Sequence, residues 1–421
     1  MKISLSADQL IYYLACGAFL SMPLGTSPPV ICGALAALVW IFSGKLIKQR
    51  HAYLGQTWFW PVLFLIALPW LGLLYTPDPG GFEIGFAKKT HYWLYGLAVA
   101  AIPFGIYSPQ RLIQAFLLGL AINALVAIMQ LMGIFPVMNE LAYGLGLGYS
   151  TMAAYLVLGI LMASYYFRET EERRTRILLG LLMAGYFFHL VILKGRVGFL
   201  TFFVLSPLIV NNLFKRFGIL KISLACLVLL GVMFLSPMVR DRASVSVMQL
   251  EEHLNADPNS AWGKAYNGQE DKFYMWRGAI EIFLENPILG VGTGGYPIVL
   301  HERGKPDWPY VAHPHNNFLY MAVSFGLIGI FALCWFFWEM IRNAWEERQS
   351  PLGFFVLSTA LVILVSGMVT TPIVDSATAF LLSLATGLQN GLPKFARSMT
   401  PTPRKGWAAL IRRTEGNDER G

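Results

Sequence analysis

Charge is scarce in this chain. Of 421 residues only 13% are Asp, Glu, Lys or Arg, against about 25% in a soluble globular protein. An ordinary water-exposed domain is thereby excluded. Cysteine is scarce too, and Cys16, Cys32, Cys226 and Cys334 all fall inside apolar runs. No disulfide framework and no cysteine metal site follows from that placement, which suits small packing residues. There is no internal repeat, and no Gly/Ser or Pro linker divides the chain. Nor does any polar segment on the outer side of the predicted topology carry a D-x-D motif. Glu270-Asp271 reads as a charge pair at a helix start, and His313-x-His315 would need further ligands to hold a metal. Neither a metal nor a cofactor is expected.

What fills the chain is apolar. Hydrophobic residues make up 56%, with a mean hydropathy of +0.54. A run of about 20 such residues crosses a hydrocarbon core of about 30 Å. Twelve spans are predicted, near 9–25, 28–43, 57–75, 91–107, 112–134, 149–167, 177–193, 197–214, 219–238, 316–341, 352–371 and 373–390. No small-residue cleavage site follows the first, so it reads as an anchor.

The net charge of +8 would suit a nucleic-acid binder, but its distribution argues otherwise. With the N-terminus in the cytoplasm, 21 of the 32 basic residues fall in cytoplasmic segments. That asymmetry orients a membrane protein, and no nucleic-acid partner is expected. The tail piece RKGWAALIRRTEG (404–416) sets Trp407, Leu410 and Ile411 among basic residues and reads as a membrane-surface segment. The predicted organisation is nine spans over 1–238, an external loop over 239–312, three spans over 313–393 and a basic cytoplasmic tail over 394–421. A nine-and-three split does not suit a transporter built from two equal halves.

Within the loop, Phe273, Trp276, Ile280 and Phe283/Leu284 recur at helical spacing, and Asn286-Pro287 ends the pattern. An amphipathic helix over 269–285, lying on the membrane surface, is expected. The turn GVGTGGY (290–296) contains Gly290-x-Gly292-x-x-Gly295, formally a dinucleotide fingerprint. A helix rather than a strand precedes it, so a tight turn beside a site is the better reading.

Among the outer cations, Lys88 and Lys89 flank a span start, where snorkelling accounts for them. Lys194 and Arg196, in VILKGRVGFL (191–200), occupy a short turn between apolar runs with no acid nearby in sequence. Cations at that depth call for an anionic partner, or else snorkel to headgroups. A guanidinium offers forked donors to phosphate, which singles out Arg196 and also Arg277. The competing reading of Arg277 is an i,i+4 ion pair with Glu281. At HPHNNFLYMAVSFGLIG (313–329), Pro314 holds His313 extended, and Asn316 or Asn317 suits an N-cap. Capping leaves His315 unexplained, as either an interfacial polar group or a base.

These residues resemble a known family. His315-Asn316, nine residues, Gly326, two residues and Gly329 are similar to the histidine motif of the O-antigen ligases, within the O-antigen ligase/polymerase family. The segment W-R-x-A-x-x-x-F-x-x-N-P-x-x-G-x-G (276–292) resembles that family's loop signature. The resemblance implies an all-α polytopic protein with about 12 transmembrane helices and one large periplasmic loop, similar to GT-C-like transferases. It implies transfer of a glycan from undecaprenyl diphosphate to lipid A–core on the periplasmic face of the bacterial inner membrane, without metal and with inversion. His315 would be the base, Arg196 and Arg277 would hold the diphosphate, and Lys194, His313, Asn316, Lys88 and Lys89 would form a second tier. Gly195 departs from the pattern, since many relatives carry a hydroxyl residue there. The competing expectations are an O-antigen polymerase, a protein O-oligosaccharyltransferase, or a lipid-linked-glycan transporter with Asp375 on its path.

Overall fold

Long apolar runs must satisfy their backbone groups internally, and helices do so. The computed structural model describes residues 5–78, 83–138, 143–193, 195–214, 237–255, 272–303 and 312–393, with isolated positions 224, 227, 228 and 231. Among the described residues there are helices and no strands. Lys194, most of the predicted span 219–238 and the tail 394–421 lie outside them.

Five helices have the length and apolarity to cross a membrane: α6 (Pro109–Leu131), α7 (Tyr149–Glu169), α8 (Arg173–Ile192), α9 (Arg196–Leu213) and α13 (Asn317–Glu346). Shorter apolar helices accompany them: α1 (Ala7–Ser21), α2 (Ser27–Phe42), α3 (Phe59–Leu71), α5 (Tyr92–Ala100), α14 (Pro351–Ser366) and α15 (Ser376–Leu388). Eleven of the twelve predicted spans therefore coincide with helix, and five of those helices reach spanning length among the described residues.

Helix α7 is apolar all round and is accordingly central. Every residue from Thr151 to Tyr165 is buried, with α8, α9 and α14 packed around it. Helix α15 lies against α5, and α1 against α2 and α6. The short α4 (Glu83–Lys88) precedes α5.

The predicted span 316–341 is not one helix. Gly326 adopts φ 63 and ψ −151 inside α13, dividing it into a nine-residue piece about 14 Å long and a twenty-residue piece about 30 Å long. Only the second matches a hydrocarbon core. The break frees backbone groups, and the glycine turn takes them up. Val291 N donates to Val323 O at 2.8 Å, Gly292 N to Ser324 O at 3.0 Å, and Leu327 N to Pro287 O at 2.8 Å. Gly290 has φ 66, and a Cβ there would run into Val323 O and the Ser324–Phe325 peptide. Thr293 ties the same turn to α3, its hydroxyl donating to Pro69 O at 2.6 Å. The fingerprint glycines thus serve close backbone docking.

The polar stretch contains α10 (Pro237–Asn255), α11 (Lys272–Glu285) and α12 (Gly295–Arg303). Helix α11 ends at Glu285, just before the predicted stop. Its packed face is not the predicted stripe, because Met275, Gly278, Ala279 and Ile282 are the residues it buries. They meet Tyr296 and Leu300 of α12 and Val323 of α13. Of the stripe, Ile280 (45%) and Leu284 (67%) are exposed, while Phe273, Trp276 and Phe283 are half-buried.

Candidate functional site

A cavity of about 250 Å³ lies where three helices begin. Its wall comprises Gly148 to Thr151 at the start of α7, His313 and His315 just before α13, and Asp375 and Thr378 at the start of α15. Ala154 of α7, Ser366 at the end of α14, and Thr370, Thr371 and Pro372 between α14 and α15 complete it. Helix N-termini carry partial positive charge and unsatisfied N–H groups, and of these three only the start of α7 has no side-chain cap. The starts of α13 and α15 are closed by side chains. Asn316 Oδ1 accepts from Phe318 N at 2.8 Å and Leu319 N at 3.1 Å. Asp375 accepts from Thr378 N at 3.2 Å. Gly148 at α7 and Gly195 at α9 supply no capping side chain.

His315 stands apart in its backbone. Its φ is 49, which makes it the one non-glycine residue with positive φ among the described residues. A residue with a Cβ in that region is strained by about 1–2 kcal/mol, and such strain clusters at working sites. Since Asn316 is the N-cap, His315 does not serve as the helix cap. Its ring lies 4.5 Å from that of His313, nearly edge to face. His313 Nδ1 is 3.3 Å from Thr371 Oγ1.

Asp375 is a cavity residue that the sequence suggested only as part of a transporter path. Its Oδ2 accepts from Thr151 Oγ1 at 2.9 Å and from Thr378 Oγ1 at 2.9 Å, joining α7 to α15. The D-x-x-T pattern at 375–378 signals a helix start, but nothing in the sequence links it to Thr151. Two imidazoles and one carboxylate face the cavity, and no group of three metal donors forms among the described residues.

The cations are placed unequally. Arg196 is the first residue of α9, half-buried. A Cβ on Gly195 would strike the ring of Tyr149, which lines the cavity. That contact sets the start of α9 against the cavity wall and explains why a larger residue is absent at 195. Lys89 Nζ donates to Val374 O at 2.7 Å, beside Asp375. Burial pushes the Lys89 pKa down, and the Asp375 carboxylate partly opposes this. Lys88 is exposed and does not line the cavity. Arg277 forms the i,i+4 pair with Glu281, at 3.0 Å with its side chain 41% exposed. Lys272, at the start of α11, was not singled out by sequence, yet its Nζ donates to Val369 O at 2.6 Å, one residue from the cavity wall. Arg277 lies about a turn and a half further along that helix.

No curated protein matches this sequence. Residues 181–334 match a family model described as O-antigen ligase. That stretch contains Arg196, Arg277, His313, His315 and Asn316, and over it the chain is similar to the O-antigen ligases.

Proposed function

We propose that this protein transfers an O-antigen glycan from undecaprenyl diphosphate to lipid A–core at the periplasmic face of the bacterial inner membrane. The observation that carries this reading is the cavity where His315, held in a strained backbone conformation, faces the start of α7. The chemistry needs two things. One is a base for a weakly nucleophilic hydroxyl, which an imidazole supplies. The other is positive charge for a departing diphosphate.

In the proposed step, the acceptor hydroxyl oxygen bonds to the anomeric carbon as the bond from that carbon to the diphosphate oxygen breaks. The hydroxyl proton passes to His315, and undecaprenyl diphosphate leaves with the electron pair. A single displacement inverts the anomeric centre. Arg196 and Arg277 hold the diphosphate, Arg277 exchanging its exposed pairing with Glu281 for phosphate oxygens. An exposed i,i+4 pair is worth about 0.3–0.5 kcal/mol, so that exchange is cheap. The start of α7, which has no side-chain cap, adds fixed positive potential. The exposed Ile280 and Leu284 of α11 rest on inner-membrane lipid. Because the leaving group is already an anion of low basicity, the mechanism calls on no metal.

The test is reconstitution of purified protein with both lipid substrates. Appearance of the glycan–lipid A–core conjugate is expected. A product lengthened on undecaprenyl diphosphate, with no conjugate, would instead mark a polymerase.

A further inference from the structure

Two consecutive asparagines begin α13, and a helix start needs one. Asn316 does the capping; Asn317 does something else. Asn317 is 1% exposed, and its hydrogen bonds beyond α13 run to the segment between α14 and α15. Its backbone N–H donates to Gly367 O at 2.7 Å, and its Oδ1 accepts from Ile373 N at 3.2 Å. Asn316 adds a parallel tie, Nδ2 donating to Met368 O at 2.9 Å. Three bonds therefore hold both ends of the segment that carries Thr370, Thr371 and Pro372, and they converge on the two residues that follow His315. There is no slack at Gly367, where a Cβ would collide with Asn317 Nδ2. That Nδ2 is buried without a hydrogen-bond partner, a cost the fold accepts to keep Oδ1 turned to Ile373.

A left-handed histidine needs such a frame. Left to itself, a residue with a Cβ relaxes out of φ 49, carrying its side chain away from the cavity. We propose that Asn317, clamped against Gly367 and Ile373, is a positioning residue that holds the His315 imidazole at the cavity. Asn317 contacts neither substrate; it acts through the backbone of its neighbour. This inference rests on the proposed role of His315 as base.

The experiment uses the full-length protein in the reconstituted transfer assay, with Asn317→Ala and Gly367→Ala. The first removes the tie to Ile373, whereas the second keeps every hydrogen-bonding group and presses on Asn317 from the opposite side. Each is expected to lower the turnover number at least about tenfold, with KM for the lipid-linked donor within about twofold; Asn317→Ala should melt near the parent, whereas Gly367→Ala, whose Cβ also meets Ile363 O, should melt lower. The decisive comparison is made in the His315→Gly background with added imidazole, which reaches the cavity without backbone guidance. There, Asn317→Ala should leave the rescued rate unchanged. A rescued rate that falls as steeply as in the parent would make Asn317 a general structural residue. Parental turnover in both single variants would also overturn the inference. Near-parental activity in His315→Gly without imidazole is a separate result, and it would remove the base itself.

Discussion

Replacing His315 with asparagine separates its chemistry from its packing. Asparagine tolerates the left-handed region better than histidine because its short side chain bonds locally. At φ 49 the substitution relieves part of a strain of about 1–2 kcal/mol. His315 is only half-buried, so little apolar contact is lost in return. The helix cap is untouched, since Asn316 supplies it. His315→Asn is therefore expected to melt at or slightly above the temperature of the parent. Its transfer rate, by contrast, loses a general base worth roughly 10²–10⁴-fold. The assay is conjugate formation at saturating donor and acceptor, with donor binding and thermal unfolding measured on the same preparation. Gain or parity in stability with loss of turnover is the signature of a residue retained for chemistry. A variant keeping more than about a tenth of the parental rate refutes the base, and one that melts far lower turns His315 into a packing residue.

Arg196→Lys keeps the charge and loses the fork, so transfer should fall roughly tenfold to hundredfold, the worth of a charged hydrogen bond of about 1.5–3 kcal/mol; parental activity would return Arg196 to snorkelling. Glu281→Ala frees Arg277 from an exposed pair and should move the melting temperature little while leaving transfer at or above the parental rate, as kinetics and a thermal scan will show. Gly290→Ala forces a Cβ into the break of α13 and threatens three backbone bonds of about 1 kcal/mol each. It should therefore lower both melting temperature and activity, whereas Gly180→Ala, with open space around it, should be neutral or stabilising. In a cysteine-free background, Ser244→Cys should react with an impermeant maleimide from outside the inner membrane and Glu171→Cys should not; the reverse pattern would move the cavity to the cytoplasm and end the ligase reading.

Hydropathy and local spacing were enough to reveal the helical, membrane-bound character of the chain, the stop of α11 before Asn286-Pro287 and a cap at one of the paired asparagines, which the structure assigns to Asn316. Those features depend on a residue's near neighbours, and a sequence displays near neighbours directly. The histidine motif and the arginines could be singled out only as a list of candidates without a geometry. The i,i+4 pairing of Arg277 could be read in advance, because a helix sets it by itself. What only the tertiary structure decided is carried by contacts between distant parts of the chain. Thr151 meets Asp375, His313 meets Thr371, and Lys272 meets Val369, pairs that no spacing rule connects. The exposure of Ile280 and Leu284 came from the same cause, since α11 had two apolar faces and α12 and α13 chose between them. The break at Gly326 was hidden because glycine within an apolar run reads equally as a packing face, until the turn at 290–292 docks against it. The left-handed backbone of His315 was hidden more deeply. The two residues after it bond to a segment some fifty residues away, and a local preference for negative φ gives no warning of the value at His315.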